Sequence, residues 1–566
     1  MLTVLLFYLL ITLSCLWTGY LIRPVFRLSA SGAVDPPQKP PLVYIFWGLI
    51  TITGAAQVLE LFFPVNNLFW PGWICLLILV TFLRKQDSLQ LMQYLRQTVK
   101  EQAGTLTLTC ITLLFVSNLG AGPLLMDDTE SYHIQMIKWI QEYGTVPGLA
   151  NLHERYGFNS SWFTWAALVI PTHTATNYFT LANGALSVWF CLYLLQKAFT
   201  STQEDLLSAR RSLAACLVLL TALLCWPMIR GNATNANYDF ITTCLLVVLV
   251  IESAAPAAGV NDYMPEYLVW PVFLCTVRIV NAPLLVLSVF GIATFLRTKQ
   301  VRSLMTGMTA SLLLAVPFLI RNVVLSGYLF YPAYQIDLFR VDWKADIRLT
   351  RNIVEYIKYF NRVNSGTMPI SETSRLGFPA WIPVWFHYLF GYDKPVLLTG
   401  LAGYGFCGLR RQRFRQLPLP ARVLAGSLVL QLAAWFWIAP DPRFVYGPLL
   451  GGIFLLALLL PPVKWSTWFL QFRKPVLTLL LTTMFGYTTW KLVRHPQYRQ
   501  LLIPVVVPQP PCRVVWVDGI ELRIPEKMNG NWNPRCYATG LPCLYELQPG
   551  LRARGKTVSD GFRLER

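Results

Sequence analysis

Apolar stretches of about 20 residues, the length that an α-helix needs to cross a bilayer, recur along this chain from its first residue to about residue 492. Only 13% of the residues are charged, whereas 55% are hydrophobic. The number of these stretches predicts an all-α polytopic membrane protein with about fourteen transmembrane helices. The first stretch, residues 1–22, lacks the basic start and the small-residue cleavage site of a signal peptide, so we expect a retained anchor.

The breaks between the apolar stretches differ in charge. The net charge of +19 would suggest nucleic-acid binding in a soluble protein, but here the basic residues collect in short breaks, and we expect a lipid bilayer and no nucleic acid as partner. The positive-inside rule places these breaks in the cytoplasm. They hold Arg23, Arg27 and the segments 84–86, 209–211, 297–302 and 410–415. We expect the polar stretch 88–104 to lie along the inner surface.

The remaining breaks then fall on the extracytoplasmic side of the membrane. They are the acidic outer loop 126–176, the segment 230–239, the second outer loop 326–380, the segment 439–444 and everything after about residue 492. The second outer loop is rich in aromatic residues, which suit sugar faces but also populate membrane interfaces. The unusual polar residues of the chain therefore share one side.

The tail has the character of a small folded cap. Its segment "RVVWVDGIELRIP" contains two β-rich runs around an Asp-Gly pair, which is typical of a β-hairpin. In an oxidising compartment, Cys536 and Cys543 could form a disulfide, which would leave Cys512 unpaired. We therefore expect a membrane domain over residues 1–492 and a β-containing extracytoplasmic cap over residues 493–566, packed on the membrane domain because it is short for an independent core.

Two adjacent carboxylates, Asp127 and Asp128, follow the apolar stretch 106–126. One interpretation is structural: Asp127 caps a helix, Glu130 completes a capping box three residues later, and the helix dipole favours Asp128. The aromatic and apolar side chains that follow recur at spacings of four, three and four, which predicts a helix lying at the outer interface. These side chains are Tyr132, Met136, Trp139 and Tyr143.

The acidic outer loop continues with further titratable residues. His133 and Lys138 lie on the predicted helix, and "NLHERYGFNSSWF" adds His153 and Arg155. Carboxylates, imidazoles and cations are thus gathered in one outer loop, a composition that suits binding or catalysis as well as structure.

Two sequence motifs resemble those of known families. The segments "YHIQMIKWIQEYGTVPGLANLHERYGFNSSWF" at 132–163 and "APDPRFVYG" at 439–447 are similar to motifs of an uncharacterised family of bacterial polytopic membrane proteins associated with surface polysaccharides. A long membrane chain with an acidic loop at the end of a span also resembles the GT-C superfamily of polyprenyl-phosphate-sugar-dependent glycosyltransferases. GT-C enzymes usually have this loop after their first span, whereas here about three spans precede it.

The resemblance implies a sugar transfer at the extracytoplasmic face of the bacterial inner membrane. A glycan or lipid acceptor would attack a polyprenyl-phosphate-linked sugar, with Asp127 or Asp128 as the general base. The neighbouring aspartate would orient the acceptor or hold a divalent cation such as Mg²⁺ or Mn²⁺, although two carboxylates alone do not form a cation cage.

Further charged residues lie where charge is costly. The resemblance implies that Arg278 contacts the lipid phosphate and that Asp239 is a second acidic residue of the site. Snorkelling explains Arg278 equally well, and helix capping explains Asp239.

The segment 439–444 and Arg321 are each open to two interpretations. Asp441 and Arg443 either form an ion pair in a rigid turn or bind donor phosphate or acceptor sugar. Arg321 could join either network.

Three classes of function remain compatible with the sequence. A lipid-linked glycosyltransferase is favoured by the outer acidic loop. A polysaccharide polymerase or ligase would use the same donor but depend more on outer-loop arginines. A non-enzymatic lipid-linked glycan transporter should show inverted repeats, and none is visible. Glycine-rich phosphate loops, CxxC pairs and HExxH motifs are absent from the sequence, which gives no support to nucleotide-driven transport or zinc hydrolysis.

Overall fold

The computed structural model describes most of the chain. The described residues are 1–26, 39–101, 105–199, 206–255, 264–363, 368–460, 464–494, 502–531 and 533–565. Four parts of the sequence-based predictions lie outside them: Arg27, residues 102–104 of the inner-surface stretch, residues 364–367 of the second outer loop and residues 495–501 next to the proposed domain boundary.

The described residues are mostly α-helical. The helices are α1 Leu2–Ile22, α2 Pro41–Glu60, α3 Phe69–Leu83, α4 Lys85–Glu101, α5 Leu106–Ala121, α6 Ile134–Glu142, α7 Leu149–Leu152, α8 Ser161–Val169, α9 Leu181–Phe199, α10 Leu206–Leu224, α11 Ile229–Ala233, α12 Phe240–Ser253, α13 Met264–Val277, α14 Leu285–Arg297, α15 Val301–Ser326, α16 Ile347–Val363, α17 Ile370–Thr373, α18 Trp381–Tyr388, α19 Asp393–Leu409, α20 Arg411–Gln416, α21 Leu419–Ile438, α22 Tyr446–Leu459 and α23 Lys464–Arg494.

Six helical segments of the described chain are long and apolar enough to cross a membrane, which indicates an integral membrane protein. They are Leu2–Ile22, Pro41–Glu60, Ile279–Arg297, Val301–Ser326, Leu419–Ile438 and Pro442–Leu459. Phe69–Leu83, Leu106–Ala121, Phe240–Ser253 and Met264–Val277 are apolar but shorter. The expected count of about fourteen spans is not confirmed. One reason is that several apolar stretches form helices shorter than the roughly 20 residues that a span needs, as in Phe69–Leu83.

The first two spans pack closely through glycine. A Cβ atom on Gly19 of α1 would lie 1.7 Å from the carbonyl oxygen of Tyr44, and one on Gly48 of α2 would lie 1.8 Å from that of Cys15. Small residues let helix backbones approach each other in this way, which is how helices associate in lipid. A larger side chain at either glycine would force α1 and α2 apart.

The basic breaks lie at one end of the helices. Arg84 donates a hydrogen bond to the carbonyl oxygen of Leu21 at 2.6 Å, and Arg413 to that of Leu459 at 3.2 Å. Leu21 and Leu459 belong to the last turns of α1 and α22. The first turn of α1 lies at the opposite end, where the amide of Thr3 donates to the carbonyl of Leu502. We call this opposite end the cap side, because the C-terminal cap begins there.

The C-terminal cap contains the predicted β-hairpin. Strand β1, Cys512–Val517, pairs antiparallel with β2, Ile520–Pro525. Asp518 and Gly519 at the turn both have positive φ angles, 49° and 86°, which is why an Asp-Gly pair is favoured there. A second antiparallel pair is formed by β3, Leu551–Ala553, and β4, Phe562–Leu564. The expected disulfide between Cys536 and Cys543 is present.

The cap packs against the membrane domain along its length. The amide of Phe562 donates to the carbonyl of Pro147 at 3.0 Å, and the amide of Val507 to that of Ala175 at 2.9 Å. On its exposed rim, Arg554 pairs with Asp342 at 2.8 Å. These contacts join the C-terminal segment to the helical part of the described chain, whereas the domain boundary at about residue 492 stays a prediction.

Candidate functional site: an arginine–carboxylate cluster

The helix already includes the aspartate pair, although Asp127 was expected to precede it as the N-cap. Asp127 and Asp128 are already helical, the segment Thr129–His133 forms a π-helical turn, and α6 follows. The side chain of Asp128 makes no capping hydrogen bond. Glu130 forms an ion pair with Arg535 of the cap, so it does not act as the predicted capping-box partner.

Helix α6 does not lie exposed at the interface. Gln135, Met136 and Ile137 are fully buried although consecutive residues point about 100° apart around a helix. The cap covers one side, because Gln135 Nε2 donates at 3.0 Å to the carbonyl oxygens of both Tyr537 and Thr539. The prediction of an interfacial helix is corrected accordingly: the aromatic pattern marks packing on two sides rather than contact with lipid headgroups.

Asp128 bridges two arginines from distant parts of the chain. Its Oδ1 lies 2.8 Å from Nη1 of Arg155, and its Oδ2 lies 3.3 Å from Nη1 of Arg443. Burial alone would raise the pKa of the Asp128 carboxyl, but the Arg443 and Arg155 guanidiniums hold that pKa well below its usual range. Asp128 is therefore ionised at neutral pH.

Arg443 also contacts its own turn. Its Nε lies 3.0 Å from Oδ2 of Asp441, and its amide donates to Oδ1 of Asp441 at 3.0 Å. The 3₁₀ turn that begins with Pro442 holds this geometry, since Asp441 acts as its N-cap. Both interpretations of Asp441 and Arg443 therefore remain open. The rigid ion-paired turn exists, and the Arg443 guanidinium also contacts Asp128.

Arg278 adds a third guanidinium to this group of charged residues. It pairs with Asp239 through Nη1, and its guanidinium carbon lies 3.6 Å from the ring centroid of Phe444. The guanidinium carbon of Arg443 lies 4.9 Å from the same centroid. Both guanidiniums therefore lie within cation–π distance of the Phe444 ring.

These six residues, Arg155, Arg278, Arg443, Asp128, Asp239 and Asp441, form what we call the arginine–carboxylate cluster. Each of their side chains is between 14% and 30% exposed. Charges that were buried to serve packing alone would be shielded more completely, whereas this degree of exposure leaves N–H donors within reach of a ligand.

Aromatic residues surround the cluster. Arg155 lies 5.3 Å from the ring centroid of Tyr132 and 5.8 Å from that of Tyr356 in α16. His133 packs against Tyr132 and Tyr238, with ring centroids 4.3 Å and 5.5 Å away. Burial lowers the pKa of His133 to about 3, so this imidazole is neutral and cannot act as a cation toward phosphate at neutral pH.

Besides His133 and Asp127, three predicted site residues lie outside the cluster. Lys138 donates to the carbonyl oxygens of Ala538 and Thr539 and so holds the cap. His153 is buried, and its Nδ1 accepts a hydrogen bond from the amide of Arg155.

Arg321 is the third of these residues. It pairs at 2.7 Å with the buried carboxylate of Glu60 and donates to Asn159 at 2.6 Å. These contacts separate Arg321 from both networks that the sequence suggested for it, because Glu60 already compensates its charge.

Asp127 faces a partner that the sequence analysis missed. Its side chain is 52% exposed, and its Oδ1 lies 2.6 Å from Nη2 of Arg535 in the cap. Arg535 precedes the disulfide cysteine Cys536, and that adjacency is the one signal in the sequence that could have drawn attention to it. Phe444, Tyr238 and Tyr356 were also missed, because a lone aromatic residue in a membrane protein has many ordinary explanations.

The two aspartates pair with different arginines. Asp127 turns toward Arg535, whereas Asp128 turns toward Arg155 and Arg443. Within the residues that the structure describes, no group of three or more His, Cys, Asp or Glu side chains is arranged to hold a metal ion.

A comparison with protein families identifies a family for this chain. The family model described as "Domain of unknown function (DUF8201)" matches residues 1–450. The chain belongs to this family. The DUF8201 match includes every member of the arginine–carboxylate cluster, whereas Arg535 and the rest of the cap lie beyond it. No curated protein and no solved structure matches this DUF8201 member.

The ion pairs of Arg535 with Asp127 and Glu130 predict that a substitution of Arg535 loosens the cap. Changing Arg535 to glutamine leaves Asp127 and Glu130 without their cation, and we expect the free energy of unfolding to fall by about 1–3 kcal/mol. The amide of Tyr537, which donates to the carbonyl of Glu130 at 2.7 Å, should exchange its hydrogen faster. Hydrogen exchange followed by mass spectrometry measures the protection of the backbone amides in both the cap and α6.

The matched control for this prediction is Arg513→Gln, which removes an exposed arginine from β1 of the same cap. It should leave exchange at Tyr537 unchanged. Equal protection in the Arg535 and Arg513 variants would show that Arg535 does not hold the cap on the site.

Proposed function

We propose that this protein transfers a sugar from a polyprenyl-phosphate carrier to a glycan or lipid acceptor at the extracytoplasmic face of a bacterial inner membrane. The observation that carries the proposal is the arginine–carboxylate cluster on the cap side, where three partly exposed guanidiniums and three carboxylates meet beside apolar helices. A lipid-phosphate donor needs the same combination: cations for the phosphate, a carboxylate for the acceptor and an apolar surface for the chain.

Arg278 and Arg443 are the proposed phosphate ligands. A guanidinium has five N–H donors and binds phosphate oxygens in pairs. Within the described residues, Asp239 contacts Arg278 through one terminal nitrogen, so the remaining donors are open to a ligand. As the bond between phosphate and sugar breaks, negative charge grows on the phosphate, and two fixed guanidiniums stabilise that charge more than they stabilise the intact donor.

Asp128 is the proposed general base. The acceptor hydroxyl oxygen attacks the anomeric carbon, its proton passes to a carboxylate oxygen of Asp128, and the phosphate leaves with the electron pair of the broken bond. Because phosphate is a good leaving group, a carboxylate of low basicity suffices. Asp127 has the separate role of holding Arg535, and Tyr356, which is half-buried, offers a ring face to a sugar.

A polysaccharide polymerase or ligase is the second candidate. The observation that favours it is the pairing of Asp128 with two arginines, since this pairing lowers the basicity of the carboxylate and leaves the guanidiniums as the dominant feature of the site. Such an enzyme would use the same cations to hold a lipid diphosphate on the growing or transferred glycan.

Product analysis with purified protein tests both candidates. Wild-type protein in lipid nanodiscs is mixed with polyprenyl-phosphate sugars, polyprenyl-diphosphate oligosaccharides and candidate acceptors, and the products are read by mass spectrometry. A glycosyltransferase adds one sugar and releases polyprenyl phosphate, whereas a polymerase gives a ladder and a ligase transfers a whole glycan. If no donor yields product while the glycolipids cross the bilayer of proteoliposomes, the transporter function replaces both.

The proposed extracytoplasmic location of the site has its own test. Single cysteines are introduced at Lys556 in the cap and at Arg415 at the opposite end, in a background with Cys75, Cys110 and Cys512 changed to serine; both chosen positions are exposed. An impermeant maleimide should label the cap cysteine in intact spheroplasts and the other only after permeabilisation. The reverse pattern would place the cluster in the cytoplasm and overturn the proposed location.

A further inference from the structure

A second feature of the membrane domain lies away from the arginine–carboxylate cluster. Helices α5, α11 and α23 leave a groove of about 230 Å³ between them, which we call the α5–α23 groove. It is lined by Phe115, Arg230, Thr483, Met484, Tyr487 and Thr488. Neighbouring apolar side chains of α23 point outward, with Leu479 71% exposed, so the groove opens on a surface that would face lipid.

Arg230 supplies an uncompensated charge at this groove. Its guanidinium carbon lies 5.8 Å from the ring centroid of Tyr487. In the part of the chain that the structure describes, no carboxylate forms an ion pair with Arg230. A basic residue beside an apolar groove at the membrane edge attracts the anionic headgroup of a lipid.

Two more cations lie at the same end of α23. Lys491 lies 5.2 Å from the ring centroid of Tyr487, and Arg494 lies 5.2 Å from that of Trp490. Tyr487 and Trp490 stack on each other with centroids 6.0 Å apart. Tyrosine, tryptophan and basic residues in this arrangement are typical of the headgroup level of a bilayer, so the groove has a polar, cationic end and an apolar body.

We propose that the α5–α23 groove binds one anionic phospholipid of the bilayer. The phosphate lies on Arg230, within reach of the field of Lys491 and Arg494, and an acyl chain lies along Phe115 and Met484. A soluble anion would leave the apolar lining uncovered, and a zwitterionic lipid would bring its own cation against Arg230. The charge and shape of the groove therefore match a lipid with a net negative head.

This site is distinct from the proposed donor site. None of the described residues that line the groove belongs to the arginine–carboxylate cluster. The inference does not rest on the proposed sugar transfer, and it stands if that function fails. A lipid in the groove would fill the space between α5, which leads into Asp127, and α23, which leads into the cap.

The test measures lipid binding to the purified, delipidated full-length protein. Phosphatidylglycerol, phosphatidylcholine with the same acyl chains, polyprenyl phosphate and inorganic phosphate are added separately, and bound lipid is counted by native mass spectrometry with the melting temperature recorded alongside. We expect one phosphatidylglycerol per chain, bound about five- to tenfold more tightly than phosphatidylcholine. Inorganic phosphate should not raise the melting temperature.

Two variants examine the two ends of the groove. Arg230→Gln removes the charge, and Thr483→Trp fills the apolar body; each should abolish the preference for phosphatidylglycerol or weaken its binding about five- to tenfold. The matched control is Arg340→Gln, an exposed arginine of the second outer loop, which should bind like the wild type. Equal binding of the two phospholipids, wild-type binding by both groove variants, or tighter binding of polyprenyl phosphate than of phosphatidylglycerol would each overturn the proposal.

Discussion

Asp128→Asn is expected to lower the turnover of sugar transfer about 10²–10⁴-fold while the protein still inserts and folds. Asparagine keeps the size of the side chain but can neither accept the acceptor's proton nor carry the charge that holds Arg155 and Arg443. Since the Asp128 pKa lies well below its usual range, wild-type turnover should also remain flat as the pH falls from 7 to about 5. The measurement is turnover with a polyprenyl-phosphate sugar, together with the melting temperature.

Two asparagine variants provide the controls. Asp342→Asn breaks an ion pair of similar geometry with Arg554 on the rim of the cap and should change neither turnover nor stability by more than the small effect of an exposed pair, about 1 kcal/mol. Asp127→Asn should loosen Arg535 and reduce turnover less than tenfold. If Asp127→Asn proves the more damaging of the two site variants, the general base is Asp127 and Asp128 positions the arginines.

Arg443→Gln is expected to reduce turnover about 10²–10³-fold, the size of effect seen when a fixed donor to a developing negative charge is removed. Arg443 contacts Asp128 and Asp441 and shares the Phe444 ring with Arg278, so its loss also leaves two carboxylates with fewer partners. The affinity for the product polyprenyl phosphate should fall, because the product carries more charge than the donor. Steady-state kinetics with product inhibition measures both changes.

Arg443→Lys separates charge from geometry. Lysine keeps the positive charge but lacks the planar fork that binds phosphate at two points, so it should recover only part of the lost turnover. Arg554→Gln removes the arginine of the rim ion pair and should behave like the wild type. If Arg443→Gln retains wild-type turnover and product affinity, Arg443 belongs to a structural turn and the proposed phosphate site fails.

Much of the fold follows from local patterns in the sequence. Long apolar stretches predict helices because a chain in lipid must satisfy its own backbone hydrogen bonds. Asp518 and Gly519 predict the β1–β2 turn because few other residues adopt the required positive φ angles. The number of spans was not predictable in the same way. Hydropathy is averaged over a window and does not give the residues at which a helix begins and ends, and apolar stretches such as Phe69–Leu83 form helices shorter than a span.

The candidate site was predicted only as a set of residues. The sequence identified Arg278 and Asp239 as costly charges, but snorkelling explained Arg278 and capping explained Asp239 as well as a shared site did. Charge and residue type can mark a candidate in isolation, yet they give no information about its partner. Lys138 and His153 had the same sequence signals and turned out to hold the cap and the loop.

The pairing of these charges was decided by the tertiary structure alone. Asp128 and Arg443 are 315 residues apart, and Glu130 and Arg535 are 405 residues apart, so no local periodicity relates them. The sequence by itself determined the helical, membrane-associated character, the grouping of basic breaks and the hairpin, because hydropathy, charge and turn preference act over a few residues. Helix packing and cap docking decided which carboxylate faces which guanidinium, since ion-pair energies depend on distances of a few ångströms that only the folded chain sets.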